Sequence, residues 1–560
     1  MDEARASTEA RPIWTRIVDA SESRWRAGLL GAGATALTLV GSFLNFVNYN
    51  AYPAGSPEVL LVLAAMLGAA IVAGVVAATL GVFGQIVFSV LLTVLAIEAN
   101  FDGKWLYLGI VASVLLARFS RQALILLFGV VVVSEAWTAM SGTGEAHLKP
   151  LAAAADVDLN AHHPDIALVH VILDEHIGLE GIPRSEPQGP EMRERLQAFY
   201  VDHGFRILGG AYSESLHTVN SIPRILSLAD GGTWKQGVRE GTHVEQSAYF
   251  DALQAMGFRI TVVQSDWIDY CQHPAADRCM TRVAGSLIDV GDRLPVTDKA
   301  AILAYRFAAL STFATAALGT YDIVAYYGRR FGISLPIVQM LQQTGTSPLN
   351  GMTTMEWTID EARALTPGRA IFAHVLLPHY PYVYDRDCSI KRFSKWLGRG
   401  SVAPRSARYA AYFDQVACAT RKVEDMLSAV AASPAAGKTV FILHGDHGSR
   451  ITVRDPTVEN EGVFSDRDLV DGLAAFFAVS TPEIAPGYDT GRYPLRLILD
   501  ALVHSQFQVA TPDLPSSFVH TMEIEDRRWN PVSERSIDDR GWWVEESEEP
   551  TNETGAVGGI

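Results

Sequence analysis

Hydrophobic positions are distributed very unevenly along the chain. Up to about residue 140 long apolar stretches run almost free of charge, and beyond it short apolar runs alternate with amphipathic ones. Crossing a membrane takes about 20 apolar residues. Segments 27–47, 59–79, 85–97, 105–117 and 123–140 read as five transmembrane helices, with 80–84 as a tight turn between the second and third. The fourth is short and reads as a tilted half-span or one that begins earlier. Residues 1–26 precede the spans as a tail.

After a polar, Ala-rich linker at 141–163, the apolar runs shorten to strand length. Those at 166–173, 205–212, 258–264, 370–376, 439–443 and 473–479 read as strands, and 190–203 and 246–256 as helices. Continuous apolar runs alternating with helices indicate an α/β domain, here 164–510, built on a mostly parallel sheet. In such sheets ligands gather at the carboxyl ends of the strands. The tetrapeptide GFRI occurs at two helix-to-strand junctions, beginning at Gly204 and Gly257. Segment 299–340 is apolar and aromatic yet carries Arg306, Arg329 and Arg330, which fits helices packed on the catalytic core or a segment lying on a membrane surface.

The formal net charge of −17 gives no basic face for nucleic acid, so none is expected as a partner. Much of the acidity sits between residues 523 and 553, within a C-terminal tail, 511–560. Arg16, Arg24, Arg26, Arg118 and Arg121 lie on one side of the predicted spans, whereas the loop 48–57 has no basic residue. The positive-inside rule then puts the N-terminus in the cytoplasm and, after five spans, the soluble domain outside it. The cysteines agree. All four, Cys271, Cys279, Cys388 and Cys418, lie in the soluble part, as disulfides in an oxidising compartment would. Cys271 and Cys279 bracket a loop short enough to bridge. Cys388 and Cys418 follow a strand end and a helix that returns beside it.

Three strand ends carry polar clusters. The strand at 169–173 ends in Asp174 and Glu175, two carboxylates that are costly after a buried run unless a cation meets them. The strand at 439–443 ends in HGDHGSR, whose glycines allow the bends that aim Asp446 and His447 into one pocket, with Arg450 just beyond. Carboxylate and imidazole together suit a divalent metal, zinc or manganese first, with calcium or magnesium as further candidates. The third cluster, ESLHTVNSIPRI, presents Thr218 and Ser221 where a helix begins, a position that favours an anion. His379 follows the strand at 370–376 in HYP and is placed to meet a phosphate or sulfate oxygen.

The order of these elements resembles the sulfatase-like branch of the alkaline phosphatase superfamily over roughly residues 165–481. Five spans followed by such a domain resemble two groups within it, the lipoteichoic acid synthase-like phosphoglycerol transferases and the lipid A phosphoethanolamine transferases. The resemblance implies an α/β/α sandwich and a threonine nucleophile followed three residues later by serine. Thr218, Ser221 and Pro223 match that spacing. It implies a metal carboxylate at Asp174 or Glu175, a metal pair at Asp446 and His447, and a substrate-side His379. Arg224 stands one position too early for the sulfatase maturation motif, which weighs against sulfate-ester hydrolysis. The expected reaction moves a phospho-headgroup from a membrane phospholipid to an envelope glycan or glycolipid through phospho-threonine. The alternative is a membrane-anchored phosphodiesterase or sulfuric ester hydrolase. The expected location is the cytoplasmic (inner) membrane of a bacterial-type envelope, multi-pass, with the catalytic domain on the periplasmic or extracellular side.

The charge bias makes this orientation testable. An alkaline phosphatase reporter fused at the C-terminus should be active and a fluorescent-protein reporter dim, and the reverse pattern would place the domain in the cytoplasm.

Overall fold

A computed structural model describes residues 13–50, 52–100, 164–228, 242–244, 246–282, 287–310, 345–399, 403–451, most of 454–513, and two short strands beyond. The expected spans at 105–117 and 123–140, the linker 141–163 and most of the acidic tail lie outside these residues. The chain divides into two compact units, Met1–Ala146 with Leu294–Thr344, and His147–Arg293 with Gly345–Ile560.

In the first unit, helix α1 (Ile13–Tyr49) packs against helix α2 (Pro57–Asn100). Their approach is close at Gly28 and Gly74. A Cβ on Gly74 would stand 2.7 Å from both Ala32 Cβ and the Gly28 carbonyl oxygen, so only small residues allow the contact. Pro57–Val76 is long and apolar enough to cross a membrane, and only 28% of that window is buried. Leu60, Leu67, Ile71, Val72 and Val75 are each at least half exposed. The turn expected at 80–84 does not form, because α2 runs through it. Two glycines cost a helix interior about 1 kcal/mol each, which a long apolar helix without proline absorbs. At 1.5 Å per residue α2 is roughly 66 Å long, about twice a bilayer's hydrocarbon core.

The described part of the 299–340 segment departs from the first of its two readings, packing on the core. Helix Val296–Ala308 groups with α1 and α2 rather than with the catalytic core. Lys299 Nζ lies 3.4 Å from Glu58 Oε1, Arg306 Nη2 donates to Asn50 Oδ1 at 3.1 Å, and Phe307 meets Phe43 edge-on. Arg306 thus has a polar partner at the α1–α2 turn, while Arg329 and Arg330 lie outside the described residues.

The second unit is built on an eight-stranded sheet. The strands are β1 (Ala167–Leu173), β2 (Arg206–Leu208), β4 (Arg259–Ser265), β6 (Ala276–Arg282), β7 (Arg369–Val375), β8 (Thr439–His444), β9 (Phe477–Ser480) and β10 (Gly487–Asp489), in the order β10-β2-β9-β8-β1-β7-β4-β6. A small parallel pair, β3 (Thr242–His243) with β5 (Ile268–Asp269), and an antiparallel pair, β11 (Val519–Thr521) with β12 (Glu534–Ser536), stand apart. Pairing in the main sheet is parallel except at β9, which runs antiparallel to β2 and β8. The α/β domain is thus as expected, with two adjustments. Sequence reading placed a strand from residue 473, but Leu473 ends a helix and β9 begins only at Phe477. Strand β6, partly polar and carrying Cys279, extends the edge where a loop was expected.

Helices α3 (Gly189–Asp202), α4 (Thr218–Leu226), α5 (Ala248–Ala255), α6 (Ser347–Arg363), α7 (Arg405–Ala431), α8 (Asp466–Leu473) and α9 (Leu495–His504) belong to the same unit. The repeated GFRI has a local cause. Gly204 and Gly257 take φ of +84° and +88° just past α3 and α5, and the following Phe N–H bonds back to the carbonyl five residues earlier. This is a glycine-terminated helix end, where a Cβ would be strained. Each then feeds Phe and Ile into the core.

Both expected disulfides are present, Cys271–Cys279 and Cys388–Cys418, with Cα separations of 6.0 and 5.0 Å. They close loops of 8 and 30 residues. The loop-entropy relation assigns about 2.5 and about 3.6 kcal/mol to them. Cys388→Ala/Cys418→Ala should therefore lower the melting temperature more than Cys271→Ala/Cys279→Ala. An equal or reversed order would mean that native contacts, not chain entropy, dominate.

Candidate metal and nucleophile site

Strand β1 lies between β7 and β8, all three parallel and in near register, with Ile172 opposite both His374 and His444. Their carboxyl ends therefore open on one edge. Asp174 follows β1, the GDHG turn follows β8, and His374 sits near the end of β7. Thr218 begins α4 and faces them.

Thr218 Oγ1 lies 3.2 Å from His447 Nε2 and 3.5 Å from Asp174 Oδ2. His447 Nε2 is 3.1 Å from Asp446 Oδ2. Asp174, Asp446 and His447 are all within 1% of full burial. Each offers one ligand atom within 4.8 Å of the others. The tautomer suits ligation. His447 Nδ1 is 3.0 Å from the Gly448 carbonyl, which can only accept, so Nδ1 holds the proton and Nε2 presents its lone pair. Two oxygens are left over: Asp174 Oδ1 and Asp446 Oδ2 are buried without a hydrogen-bond partner. Orphaned carboxylate oxygens beside a free imidazole nitrogen and a hydroxyl fit a divalent cation.

The electrostatics point the same way. Burial opposes ionisation of Asp174, but His379, His374 and His447 together hold it below the usual carboxylate range. Burial and the neighbouring Asp174 push Asp446 well above that range. Two buried carboxylates cannot both ionise side by side without a cation. Burial, aided by Arg450, keeps His447 neutral.

Asp174 and Glu175, inseparable in sequence, part company here. The Glu175 backbone has φ +64°, which turns its side chain away from Asp446. Its carboxylate forms an ion pair with Arg450, accepts from the Tyr380 N–H at 3.1 Å, and lies 3.8 Å from His379 Nε2. Its own N–H donates to Asp446 Oδ1 at 2.9 Å. Asp174, Glu175 and His379 form a second group with ligand atoms in range of one another. Arg450, expected on the substrate, is buried against Glu175. His379 is 17% exposed, at the open side. Ser221 donates to the Asp446 carbonyl at 2.5 Å and accepts from Ser213, so it braces the GDHG turn.

Sequence reading missed His374. Its Nε2 donates to Asp174 Oδ2 at 3.1 Å, while its Nδ1 lies 3.2 Å from the Tyr270 hydroxyl. This fixes the carboxylate with Oδ1 turned inward. The signal was a histidine inside an otherwise apolar buried strand. A second string is wholly internal. Tyr249 OH donates to His170 Nδ1, His170 Nε2 to His444 Nε2, and His444 Nδ1 to the Gly445 carbonyl, at 2.8, 2.8 and 2.7 Å. It ties the sheet interior to the GDHG turn.

No family model and no curated protein matches the chain. Among solved structures it matches the C-terminal periplasmic domain of EcEptC from Escherichia coli in complex with Zn, at 11% identity and a TM-score of 0.36, over 63% of this chain and 84% of that one. It also matches a putative sulfatase from Bacteroides thetaiotaomicron, at 11% identity and a TM-score of 0.36, over 64% and 78%. A third match is a protein in the alkaline phosphatase superfamily from Vibrio parahaemolyticus, at 12% identity and a TM-score of 0.33, over 65% and 74%.

The division of labour between the two carboxylates is measurable as metal per folded chain. Asp174→Asn and Asp446→Asn should each lose most of the bound metal, whereas Glu175→Gln should retain most of it. A Glu175→Gln protein as metal-poor as Asp446→Asn, at an unchanged melting temperature, would move the site toward His379.

Proposed function

We propose that the chain is a sulfatase-like enzyme of the alkaline phosphatase superfamily, anchored in the cytoplasmic membrane, that transfers a phospho-headgroup from a phospholipid to an envelope glycan or glycolipid. The observation that carries this reading is Thr218 Oγ1 at the head of α4, 3.2 Å from His447 Nε2 and 3.5 Å from Asp174 Oδ2, beside two unpartnered carboxylate oxygens.

Asp174, Asp446, His447 and Thr218 would hold the cation, zinc or manganese for this donor set. When bound, it supplies Lewis acidity that lowers the hydroxyl pKa and draws charge from phosphoryl oxygens. Thr218 Oγ1 attacks the headgroup phosphorus, its proton passing to water, which in turn protonates the leaving diacylglycerol oxygen. The phosphorus–oxygen bond to the lipid breaks, and diacylglycerol leaves with a proton. The headgroup stays on Thr218 as a phosphodiester. In the second half an acceptor hydroxyl attacks the same phosphorus, and Thr218 regains its proton. The α4 N-terminus favours the negative charge on the phosphoryl group. His379, at the open side, is positioned to meet an oxygen of that group. Arg450 acts through Glu175, holding the 378–380 segment in place by way of the Tyr380 N–H.

Thr218→Ala should lower turnover by more than about 10³-fold, as nucleophile removal does elsewhere. Its metal content should hold, since three ligands remain. Mass spectrometry of the wild-type chain incubated with donor lipid and no acceptor should find the headgroup mass on the Thr218 peptide. A Thr218→Ala chain that still turns over would make attack by water the reaction and the chain a hydrolase.

A further inference from the structure

Outside the metal cluster, several arginines gather around the start of α7. Helix α7 opens at Pro404 with no side-chain cap and no acidic residue in its first turn. Instead that turn carries Arg405, and Arg408 follows three residues on, both half-buried. Cations at the positive end of a helix dipole are unfavourable, and like charges three apart on one face add to the cost. One further guanidinium group, that of Arg467, joins them, and the Arg399 backbone borders the group. Arg408 donates to the Arg399 carbonyl, and Arg467 Nη2 donates to the Tyr409 hydroxyl at 3.0 Å.

The acidic partner here is Asp471. It accepts from Ser449 at 2.8 Å and from Tyr409, and lies 3.4 Å from Arg467 Nη2. Asp468 is held in the Ser465 capping box. Buried nitrogens of all four arginines, Arg399 Nη1, Arg405 Nε and Nη2, Arg408 Nε and Arg467 Nε, have no hydrogen-bond partner. A buried guanidinium nitrogen left unpaired is costly, and an acceptor of matching shape would relieve that cost.

The group is continuous with the catalytic pocket. The Asp471 carbonyl accepts from the Arg450 N–H at 3.2 Å, and Arg450 pairs with Glu175. On the other side, the Arg399 guanidinium lies 5.2 Å over the ring of Tyr380, whose own ring stacks on His379. An anion held by these arginines would lie beside the opening where the acceptor must enter.

We propose that Arg399, Arg405, Arg408 and Arg467 form an anion site that binds a phosphate or carboxylate group of the acceptor, so that the acceptor is an anionic glycan. This rests on the transferase reading, since a hydrolase needs no acceptor site. Planar, bidentate guanidinium groups suit both oxyanions, which α-glucose 1-phosphate and glucuronate probe separately. The test is direct binding to the full-length protein in detergent, with glucose as the neutral control. Wild type and Asp446→Asn should bind one or both anionic sugars with the same Kd and should not bind glucose. Charge-assisted hydrogen bonds contribute enough that Arg405→Gln/Arg408→Gln should bind at least about tenfold more weakly. The single Arg405→Gln variant, on a helix surface, gives an intermediate loss should the double variant melt early. Binding abolished by Asp446→Asn, or unchanged in the double variant, would put the anion in the metal pocket. No binding of either sugar to wild type would overturn the proposal as well. Failure to find a headgroup on Thr218 would sink the transferase reading separately, leaving the binding result intact.

Discussion

Two carboxylates buried side by side at the ends of adjacent parallel strands are the constraint around which the catalytic domain is arranged. Asp174 and Asp446 are 1% and 0% exposed. In a low-dielectric interior their mutual repulsion and desolvation cost several kcal/mol unless a cation lies between them. The surrounding bonds hold them in this unfavourable relation. His374 fixes one oxygen of Asp174, the Glu175 N–H fixes one of Asp446, and Ser221 pins the Asp446 carbonyl. Each carboxylate is thereby left with one oxygen facing the same space as His447 Nε2. A fold selected for stability alone would place apolar residues here. Keeping the charges implies that the cation's binding energy is part of the stability of the loaded domain.

The supporting polar strings follow from that requirement. A GDHG turn has little side-chain mass to hold it, so its geometry must come from hydrogen bonds. The Tyr249–His170–His444 string reaches it from within the sheet, through strands that are otherwise apolar. Such a string is tolerable in a core because every member is satisfied, with a single consistent set of proton positions ending on the Gly445 carbonyl. From the front, Glu175 and Arg450 lock the turn to the 378–380 segment, with both residues in left-handed backbone conformations at φ +64° and +52°. The metal ligands are thus held from behind by neutral groups and from the side by an ion pair.

Most of this was legible in the chain because the signals were local. An apolar run ending in Asp-Glu, or a strand running into GDHG, announces both the strand and the edge at which it opens. The hydroxyl-rich segment with Thr218 and Ser221 reads as a helix start, and α4 begins at Thr218. Features that depend on partners distant in sequence were not legible. Asp174 and Glu175 could be separated only by knowing that Arg450 and Tyr380 stand on one side and Asp446 on the other. His374 reads as a strand residue until β1 is beside it. The antiparallel run of β9 changes no residue pattern, since a strand buried on both faces is apolar in either direction. Helix Val296–Ala308 carries an apolar face that fits many surfaces, and Glu58 and Asn50, some 240 residues earlier, decide which one it meets.

Where hydrolysis also runs through a phospho-threonine, the nucleophile does not decide between it and transfer. The outcome depends on what reaches the phosphorus in the second step. With Thr218 6% exposed, water is limited without being excluded. An acceptor must therefore win by residence and orientation, and a well-held hydroxyl has effective molarities of about 10⁵ M and upward over a free one. Binding groups that touch the acceptor away from its reacting hydroxyl supply that orientation, and they need not approach the cation. The arginines at the head of α7 have this relation to the pocket. They border it through Asp471 and Tyr380, and several of their buried nitrogens have no hydrogen-bond partner among the described residues. On the proposed reading, a guanidinium cluster beside the metal site would favour transfer by holding the acceptor.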